Sequence, residues 1–404
     1  MSSGLRPALS MLATSFHRGV VLLGTILRQV AFRGAVILLV WLAVPVGAWA
    51  QSLPLRCWTI ADGLAQSVAN VLLEDSRGYV WIGTASGLSR FDGQEFVNFD
   101  VEHGLPSSRI YELFEDSQAR LWAGTDRGVA RLDFDESGER RWRSVGVDSA
   151  IAGARVLALG EATDGRFLVG TRGVGVFVLD ATTGEARALE GAPAHVADIV
   201  ELRGGLWLAA ADGLHLFEGD HLVSPFAQLD GHMDVPFTKG ALHAMTVSQE
   251  GLLLLAGDQG GFALEPKSLE WQRLAEAEPK GWRAVAETQR GRFFFGSHHQ
   301  GLLRHDRPTG SDEAIASRLG LSSGLPAEGV RSLLRHSDGA LWVGTYGGGV
   351  CRLADESFAR FTQEHGLPNE QVLGLAETPD GALWIGMLEG GVARWDGEAF
   401  DAYS

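Results

Sequence analysis

The stretch that decides the fold reads Leu341-Trp-Val-Gly-Thr-Tyr-Gly-Gly-Gly-Val-Cys-Arg-Leu353. A short apolar run, 341–345, leads through small residues into a second run, 349–353. Two such runs joined by a glycine-containing turn are typical of a β-hairpin. Close copies of this hairpin recur along the whole chain, so the stretch predicts a repeat architecture.

Eight copies of the unit are found when the sequence is aligned on the tryptophan of this stretch. Each copy has a large apolar residue at that position, and most copies place a small pair such as Gly344-Thr345 two residues later. The large residue predicts a buried position between stacked sheets, and the small pair predicts close approach of neighbouring backbones. The eight centres are Trp81, Trp122, Leu168, Trp207, Leu254, Phe294, Trp342 and Trp384.

Each unit divides into four short strands, which in the first unit cover 70–74, 79–84, 87–91 and 95–99. A meander of this size cannot bury both of its faces alone, but radial stacking on copies of itself does. The predicted fold is therefore all-β, a β-propeller of four-stranded antiparallel blades with eight repeat units. One eight-blade ring is favoured, because an unclosed ring leaves strand edges exposed. The alternative is seven blades plus a spare unit, since 56–60 also has the pattern of a fourth strand.

The first 50 residues form a separate segment. They contain four arginines and no acidic residue, and they end in an apolar run over 35–46 followed by Ala48-Trp-Ala50. This order is typical of a secretory signal peptide. The run is shorter than the ~20 residues that span a bilayer, so cleavage before Gln51 is favoured over an uncleaved anchor. The predicted domains are a signal peptide or N-terminal membrane anchor over 1–50 and the propeller over 51–404, in the periplasm or secreted, with inner-membrane anchoring as the alternative.

Composition and charge narrow the function classes. The formal net charge is −16, which argues against nucleic acid or an anionic membrane surface as a partner. No Walker loop, nucleophile elbow or dinucleotide-binding glycine pattern is found, so no cofactor is predicted. The two cysteines, Cys57 and Cys351, would face each other only if the strand before the first unit docks on the seventh unit. A disulfide and a pair of buried thiols are both open.

Three units share a further pattern: a Gly-Leu-Pro opening, a Leu-Trp-x-Gly strand and a later arginine. This pattern resembles the two-component regulator propeller family, and the resemblance covers the chain from about residue 55 to its end. It implies the periplasmic sensory part of a hybrid histidine kinase or a diguanylate cyclase, often connected with glycan sensing. The matching segments are Gly104-Leu-Pro106 with Leu121-Trp-Ala-Gly-Thr125 and Arg131, Gly324-Leu-Pro326 with Leu341-Trp-Val-Gly-Thr345 and Arg352, and Gly366-Leu-Pro368 with Leu383-Trp-Ile-Gly386 and Arg394.

Strand order places two kinds of connection on one face of such a ring: from second to third strand, and from fourth strand to the next first strand. These connections are polar and varied while the strands are uniform, which is how a binding surface is built on a repeat scaffold. An unknown small molecule or glycan is therefore the predicted ligand. No catalytic residue and no metal ligand is predicted. The candidate ligand-binding residues are Asp126, Arg172, His298, His299, Tyr346 and Glu389.

The sequence analysis therefore predicts an extracytoplasmic ligand-binding sensor and not an enzyme. No kinase or cyclase region precedes Ser404, so we expect either the front of a longer receptor, with a downstream signalling domain or partner protein, or a separate secreted binding protein. Two alternatives stay open: a secreted propeller enzyme acting on glycans, for which an apposed catalytic pair would be needed, and a protein–protein interaction scaffold with an exposed apolar patch.

Overall fold

The computed structural model describes residues 55–134, 140–226, 235–238, 240–307, 315–354, 367–369, 371–378, 383–388, 390–395 and 400–403. In this part of the chain, 32 strands form eight four-stranded antiparallel sheets. Helix is confined there to five 3₁₀ turns, Ile60–Asp62, Val101–His103, Ala150–Gly153, Pro236–Thr238 and Leu321–Ser323. The predicted fold class and its eight units are confirmed.

The strands follow one another blade by blade. Strand β1 (Leu55–Trp58) comes first, and the first blade holds β2 (Ala69–Glu74), β3 (Val80–Thr84), β4 (Gly87–Phe91) and β5 (Phe96–Phe99). Blades two and three hold β6 (Ile110–Glu115), β7 (Leu121–Thr125), β8 (Gly128–Phe134), β9 (Arg140–Val145), β10 (Val156–Glu161), β11 (Phe167–Thr171), β12 (Val176–Leu179) and β13 (Ala186–Ala188).

The remaining strands repeat this order. Blades four and five hold β14 (Val196–Leu202), β15 (Gly205–Ala210), β16 (Gly213–Glu218), β17 (His221–Val223), β18 (Leu242–Val247), β19 (Leu253–Gly257), β20 (Gly260–Leu264) and β21 (Trp271–Ala275). Blades six to eight hold β22 (Trp282–Gln289), β23 (Arg292–Ser297), β24 (Leu302–Asp306), β25 (Ile315–Leu319), β26 (Val330–Arg335), β27 (Leu341–Thr345), β28 (Val350–Leu353), β29 (Val372–Glu377), β30 (Leu383–Met387), β31 (Val392–Trp395) and β32 (Phe400–Tyr403).

The second strand of each blade is the centre of the packing. Every residue of β3 and of β27 is buried, and Trp81 is only 1% exposed. Gly83 shows why the position two residues after the tryptophan is small. A Cβ at Gly83 would lie 2.5 Å from Val71 Cγ1 and 2.7 Å from Ile110 Cγ2 of the next blade. The close approach of blades expected from the small pairs is therefore observed, and any larger residue would push two blades apart.

The N-terminal strand closes the ring. Strand β1 pairs with β28 as the fourth strand of the seventh blade, with Cys57 opposite Cys351. The two cysteines form a disulfide, so the alternative of two buried thiols is wrong. The indole rings of Trp58 and Trp342 stack beside them with centroids 5.1 Å apart. Strand β1 and the rest of the seventh blade thus share one apolar cluster with the first blade.

The same hydrogen bonds join the seventh blade to the first as join other neighbours. Ser337 donates its backbone N–H and its hydroxyl to Glu74, as Ser76 does to Glu115 and Ser117 does to Glu161. Strand β2 packs against both β6 and β26. The ring therefore closes with seven blades. The favoured single eight-blade ring is therefore corrected to the alternative, seven blades plus one further unit. Strand β1 occupies the outer edge of the seventh blade, and the seventh blade packs directly on the first, so the eighth unit is not part of the ring.

The eighth blade has its own small core of Leu367, Ile385, Met387 and Ala393. Leu375 occupies the place in this blade that Leu72 occupies in the first, opposite Ile385 and Ile82 respectively. Leu72 is 8% exposed, whereas Leu375 is 64% exposed. The eighth blade thus repeats the sheet of a ring blade without the neighbour that covers its innermost strand.

Candidate functional site

The first strands of the seven ring blades surround an axial cavity of about 660 Å³. Pockets of this volume are typical of small-molecule sites. Each of these strands enters from the face that carries the second-to-third strand connections, which we call the mouth face. The opposite face carries the hairpins between first and second strands, and we call it the hairpin face.

A β-bulge at the start of every first strand sets the lining of the cavity. In β2 the pairing with β3 shifts between Ala69 and Val71, and all the other ring blades show the same shift. A bulge re-aims the extra side chain, and here it points each one toward the axis. The seven bulged residues, which all line the cavity, are Asn70, Tyr111, Leu157, Ala197, His243, Arg283 and Arg331.

Cationic side chains gather at the mouth of this cavity. Arg331 lies over the Tyr346 ring at 5.1 Å and donates from Nη1 to Asn70 Oδ1 at 3.2 Å. Arg155 lies over the Tyr111 ring at 5.1 Å. Such stacking orients a guanidinium while leaving its N–H groups at the plane edge available. The arginines that line the cavity are Arg155, Arg172, Arg283 and Arg331.

Three histidines share this mouth, and their surroundings disfavour the imidazolium form. Burial, together with Arg172 and Arg283, lowers the pKa of His195. Burial also lowers the pKa of His243, although Asp258 Oδ1 lies 2.7 Å from its Nε2. Burial, His299 and Arg331 lower the pKa of His298. The positive charge at the mouth is therefore that of its arginines and not of its histidines.

Two carboxyl groups lie deeper in the cavity, one residue beyond the bulges. Burial raises the pKa of Asp198 to about 6, even though its Oδ2 accepts the Met245 N–H at 2.7 Å. Burial and the nearby Asp198 raise the pKa of Glu112 well above its usual range. The cavity is therefore polarised, with cations at the mouth and weakly acidic groups below.

The six residues proposed from the sequence fall into three groups. Arg172 and His298 line the cavity, and Tyr346 stands at its rim with its ring 6.0 Å from His298. His299 is exposed on the turn, where Lys280 Nζ lies 2.7 Å from its Nε2. Asp126 lies outside the lining, 3.8 Å from Arg109 Nη1. Glu389 lies outside the described residues.

The bulged residues and the two acids, Glu112 and Asp198, were not predicted from the sequence. Period-two alternation assigns one face to each residue, and a bulge breaks that alternation. A signal was present: Arg283 and Arg331 stand at the same place before their unit centres as Asn70 and Tyr111 do. A polar residue repeated at one place in otherwise apolar strands would have marked the lining.

An open groove of about 830 Å³ lies on the outer side of blades two and three. Two of its charged residues pair with each other, as Arg131 Nε lies 2.7 Å from Asp133 Oδ1. No group of three metal-ligating side chains occurs in the described ranges. Within the same ranges, none of the helical turns has the length and apolar character needed to cross a membrane. The axial cavity is therefore the candidate site.

Fold and site together define a β-propeller with a polar axial cavity. Three of its repeats match a family model described as two component regulator propeller, at residues 63–86, 324–347 and 366–389. No curated protein is a match for the sequence.

Solved structures show similar propellers. The extracellular domain of the putative hybrid two component system BT3049 from B. thetaiotaomicron is similar at a TM-score of 0.60 and 18% identity, over 87% of this chain and 49% of that one. The corresponding domain of BT4673 from the same organism gives 0.57 and 16%, over 87% and 47%. The chain thus spans about half the length of these relatives. A streptogramin B lyase gives 0.57 and 14%, over 74% and 97%. At these identities the likeness concerns the fold, which serves extracellular domains of sensors and at least one enzyme.

Proposed function

We propose that this propeller is the extracytoplasmic ligand-binding input domain of a signalling receptor, with its ligand in the axial cavity. The observation that carries the proposal is the lining of that cavity. Seven bulges on seven strands aim side chains of six types into one cavity, while the packing positions of the same strands repeat. A cavity needed only for closure would have no reason to vary in this way.

The family and the similar structures support the sensory role. The repeats are of the two-component regulator type, and the similar domains from B. thetaiotaomicron are extracellular parts of hybrid two component systems. A location outside the cytoplasm and an output through a histidine kinase or a diguanylate cyclase belong to this proposal. A downstream signalling domain, in this chain or in a partner protein, would receive the signal.

A plug at the axis tests the proposal. Ala197 is a bulged residue in the cavity, so Ala197→Trp should fill the mouth without a change of charge. Ala188, exposed on the outer strand β13, gives the control Ala188→Trp. Thermal shift with a panel of mono- and oligosaccharides, short peptides and small organic acids should reveal a compound that stabilises the natural protein and the control but not the plugged variant.

Two results would contradict the proposal. Equal stabilisation of both variants would place the ligand elsewhere on the ring. A panel without any stabilising compound would favour the scaffold alternative, in which the ring binds only a protein.

A further inference from the structure

The charge at the mouth of the axial cavity is opposite to that of the protein. The chain has a formal net charge of −16, yet four arginines converge on this one space. Elsewhere on the ring, arginines such as Arg292 and Arg304 lie against a carboxylate, both within 2.9 Å of Asp306. Among the described residues, Arg283 and Arg331 at the mouth have no carboxylate at such a distance.

Two of these guanidinium groups have donors that no protein atom accepts. Arg283 Nε and Arg331 Nε are buried and have no hydrogen-bond partner in the part of the chain that the structure describes. In that same part, no carboxylate forms an ion pair with either arginine. A guanidinium group carries five N–H donors, and leaving a buried charged donor unsatisfied is destabilising. The described residues thus supply no acceptor for these two donors.

The arginines are also held in place. Arg331 is fixed by its contact with Tyr346 and by the hydrogen bond to Asn70, and Arg155 is fixed by Tyr111. Burial lowers the pKa of Arg283; the carboxylate of Asp258 opposes this shift, and the guanidinium of Arg331 adds to it. Guanidinium groups held near one another are stabilised by an anion placed between them.

We propose that the axial cavity recognises a ligand through an oxyanion, a carboxylate, sulfate or phosphate group bound by Arg283 and Arg331 and approached from the rim by Arg172. The inference rests on the function proposed above and adds the chemical class of the ligand. The geometry of a guanidinium fork matches these groups, which accept two parallel hydrogen bonds.

The two deeper carboxyl groups restrict where the anion lies. Glu112 and Asp198 stand one residue further into the cavity than the bulged arginines, so an anion is favoured at the mouth and disfavoured at depth. Hydroxyl or amine groups on the rest of the ligand would suit the deeper carboxyls as hydrogen-bond donors. The site therefore selects a ligand with an anionic end and a polar body.

Matched probes test the inference on the full chain. Isothermal titration should compare D-glucuronate with D-glucose, and N-acetylneuraminate, inorganic sulfate and inorganic phosphate should be titrated at constant ionic strength. We expect at least one anion to bind, with at least about tenfold preference for the charged member of the sugar pair. Raising the chloride concentration should weaken that binding, because the mouth is open to solvent.

Variants with equal net charge locate the effect. Arg283→Gln with Arg331→Gln should weaken anion binding about a hundredfold, since each charge-assisted hydrogen bond contributes about a factor of ten or more. The control is Arg187→Gln with Arg290→Gln, because the side chains of Arg187 and Arg290 are 59% and 77% exposed on the outside of the ring. The control should bind like the natural protein.

A single variant keeps the test valid if the double variant does not fold. Arg172 is exposed on its turn, so Arg172→Gln should fold normally and still weaken anion binding several-fold. Absence of binding by every anion, or equal loss in the control, would overturn the inference. Binding of neutral sugars that the Ala197→Trp plug abolishes and Arg283→Gln does not affect would overturn it as well, while leaving the proposed sensor function intact.

Discussion

The hairpin face and the mouth face of the ring are built from the same strands but use charge in opposite ways. On the hairpin face, Asp116 Oδ2 accepts the Trp122 indole N–H at 2.8 Å, and Asp75 does the same for Trp81 at 2.9 Å. Burial acts to raise the pKa of Asp116, but hydrogen bonds from Trp122 and Arg120 hold that pKa below its usual range. In the axial cavity, below the mouth face, burial raises the pKa of Asp198 instead.

The difference teaches how to separate scaffold from site in a repeat protein. The aspartates repeated at the start of the hairpin, Asp75 and Asp116, have their hydrogen-bond partners within their own blade and stabilise it. Charges that differ from blade to blade, such as Arg283 and Asp198, lack such partners or are destabilised by burial. Internal repetition with satisfied hydrogen bonds indicates structure, and variation with unsatisfied donors indicates recognition.

The comparison assumes one closed ring, and the strongest test removes its covalent closure. The disulfide joins residues separated by 294 positions. Replacing both cysteines, with Cys57→Ser and Cys351→Ser, should lower the free energy of unfolding by about 4 kcal/mol, because the cross-link restricts a long loop in the unfolded chain. Urea denaturation of this variant and of the reduced natural protein should agree. An unchanged midpoint would mean that β1 is held without the bridge.

Removing a repeated carboxylate should be nearly as harmful. Asp116→Ala leaves the Trp122 indole N–H and the backbone N–H groups of Gln118 and Arg120 without their acceptor. We expect a loss of about 3 kcal/mol in urea denaturation. Asp164→Ala is the control, since that carboxylate is half exposed and pairs with Arg166, and its loss should stay below about 1 kcal/mol. Similar losses for both would remove the structural role of the repeated aspartate.

Replacing the cavity carboxylate of Asp198 should raise stability, whereas replacing Asp116 lowers it. Asp198 has its pKa raised from 3.8 to about 6 on folding, so the folded protein holds that proton more tightly than the unfolded chain. Its contribution is therefore fully present below about pH 4 and is lost as the pH rises through about 6. At about pH 7.5, Asp198→Asn should be more stable than the natural protein by about 1 kcal/mol. This figure is smaller than the full pKa shift would give, because solvent that enters the cavity screens the charge.

The pH series sharpens the contrast between the two faces. At about pH 4 the stabilisation by Asp198→Asn should vanish. The pKa of Asp116 is lowered on folding, so the stability that this group contributes is present above about pH 4 and is lost on acidification. Asp116→Asn should therefore be less stable than the natural protein at neutral pH, with a gap that narrows in acid. A gain from Asp198→Asn that is independent of pH would contradict the raised pKa.

The smallest effect on stability is expected at the rim. Tyr346 is 54% exposed and contacts Arg331 and His298. Tyr346→Ala should change the free energy of unfolding by less than about 0.5 kcal/mol but weaken ligand binding about three- to tenfold, because Arg331 loses the ring that orients it. Tyr403, 50% exposed on the eighth blade, provides the control Tyr403→Ala. Loss of affinity in the control would move the site away from the axis.

The sequence was sufficient for the blade and its register because both depend on local pattern. The predicted first unit agrees with β2 to β5 to within one residue at each end, and the cysteine register followed from the same unit. Ring closure could not be decided in this way. Both 56–60 and the last strand of the eighth unit have the pattern of a fourth strand, and the choice depends on which sheet edge each one meets.

The candidate site was found only in outline. Turn residues such as Arg172, His298 and Tyr346 follow from strand order, and the structure places them in or beside the axial cavity. Arg283 and Arg331 did not follow, because their orientation comes from a bulge that alternation alone does not reveal. The depth and charge of the cavity depend on seven strands meeting at one axis, which no single unit encodes.

Closure by the N-terminal strand also sets an order in time. During synthesis β1 is made first, yet its partner β28 follows only after nearly the whole ring has been made. Until β28 has been made, strand β1, with Cys57 and Trp58, has no sheet edge to pair with. Because the chain has only two cysteines, oxidation within one molecule has a single product. Completion of the ring is therefore a late event with one covalent outcome, and no incorrect pairing within the molecule has to be undone.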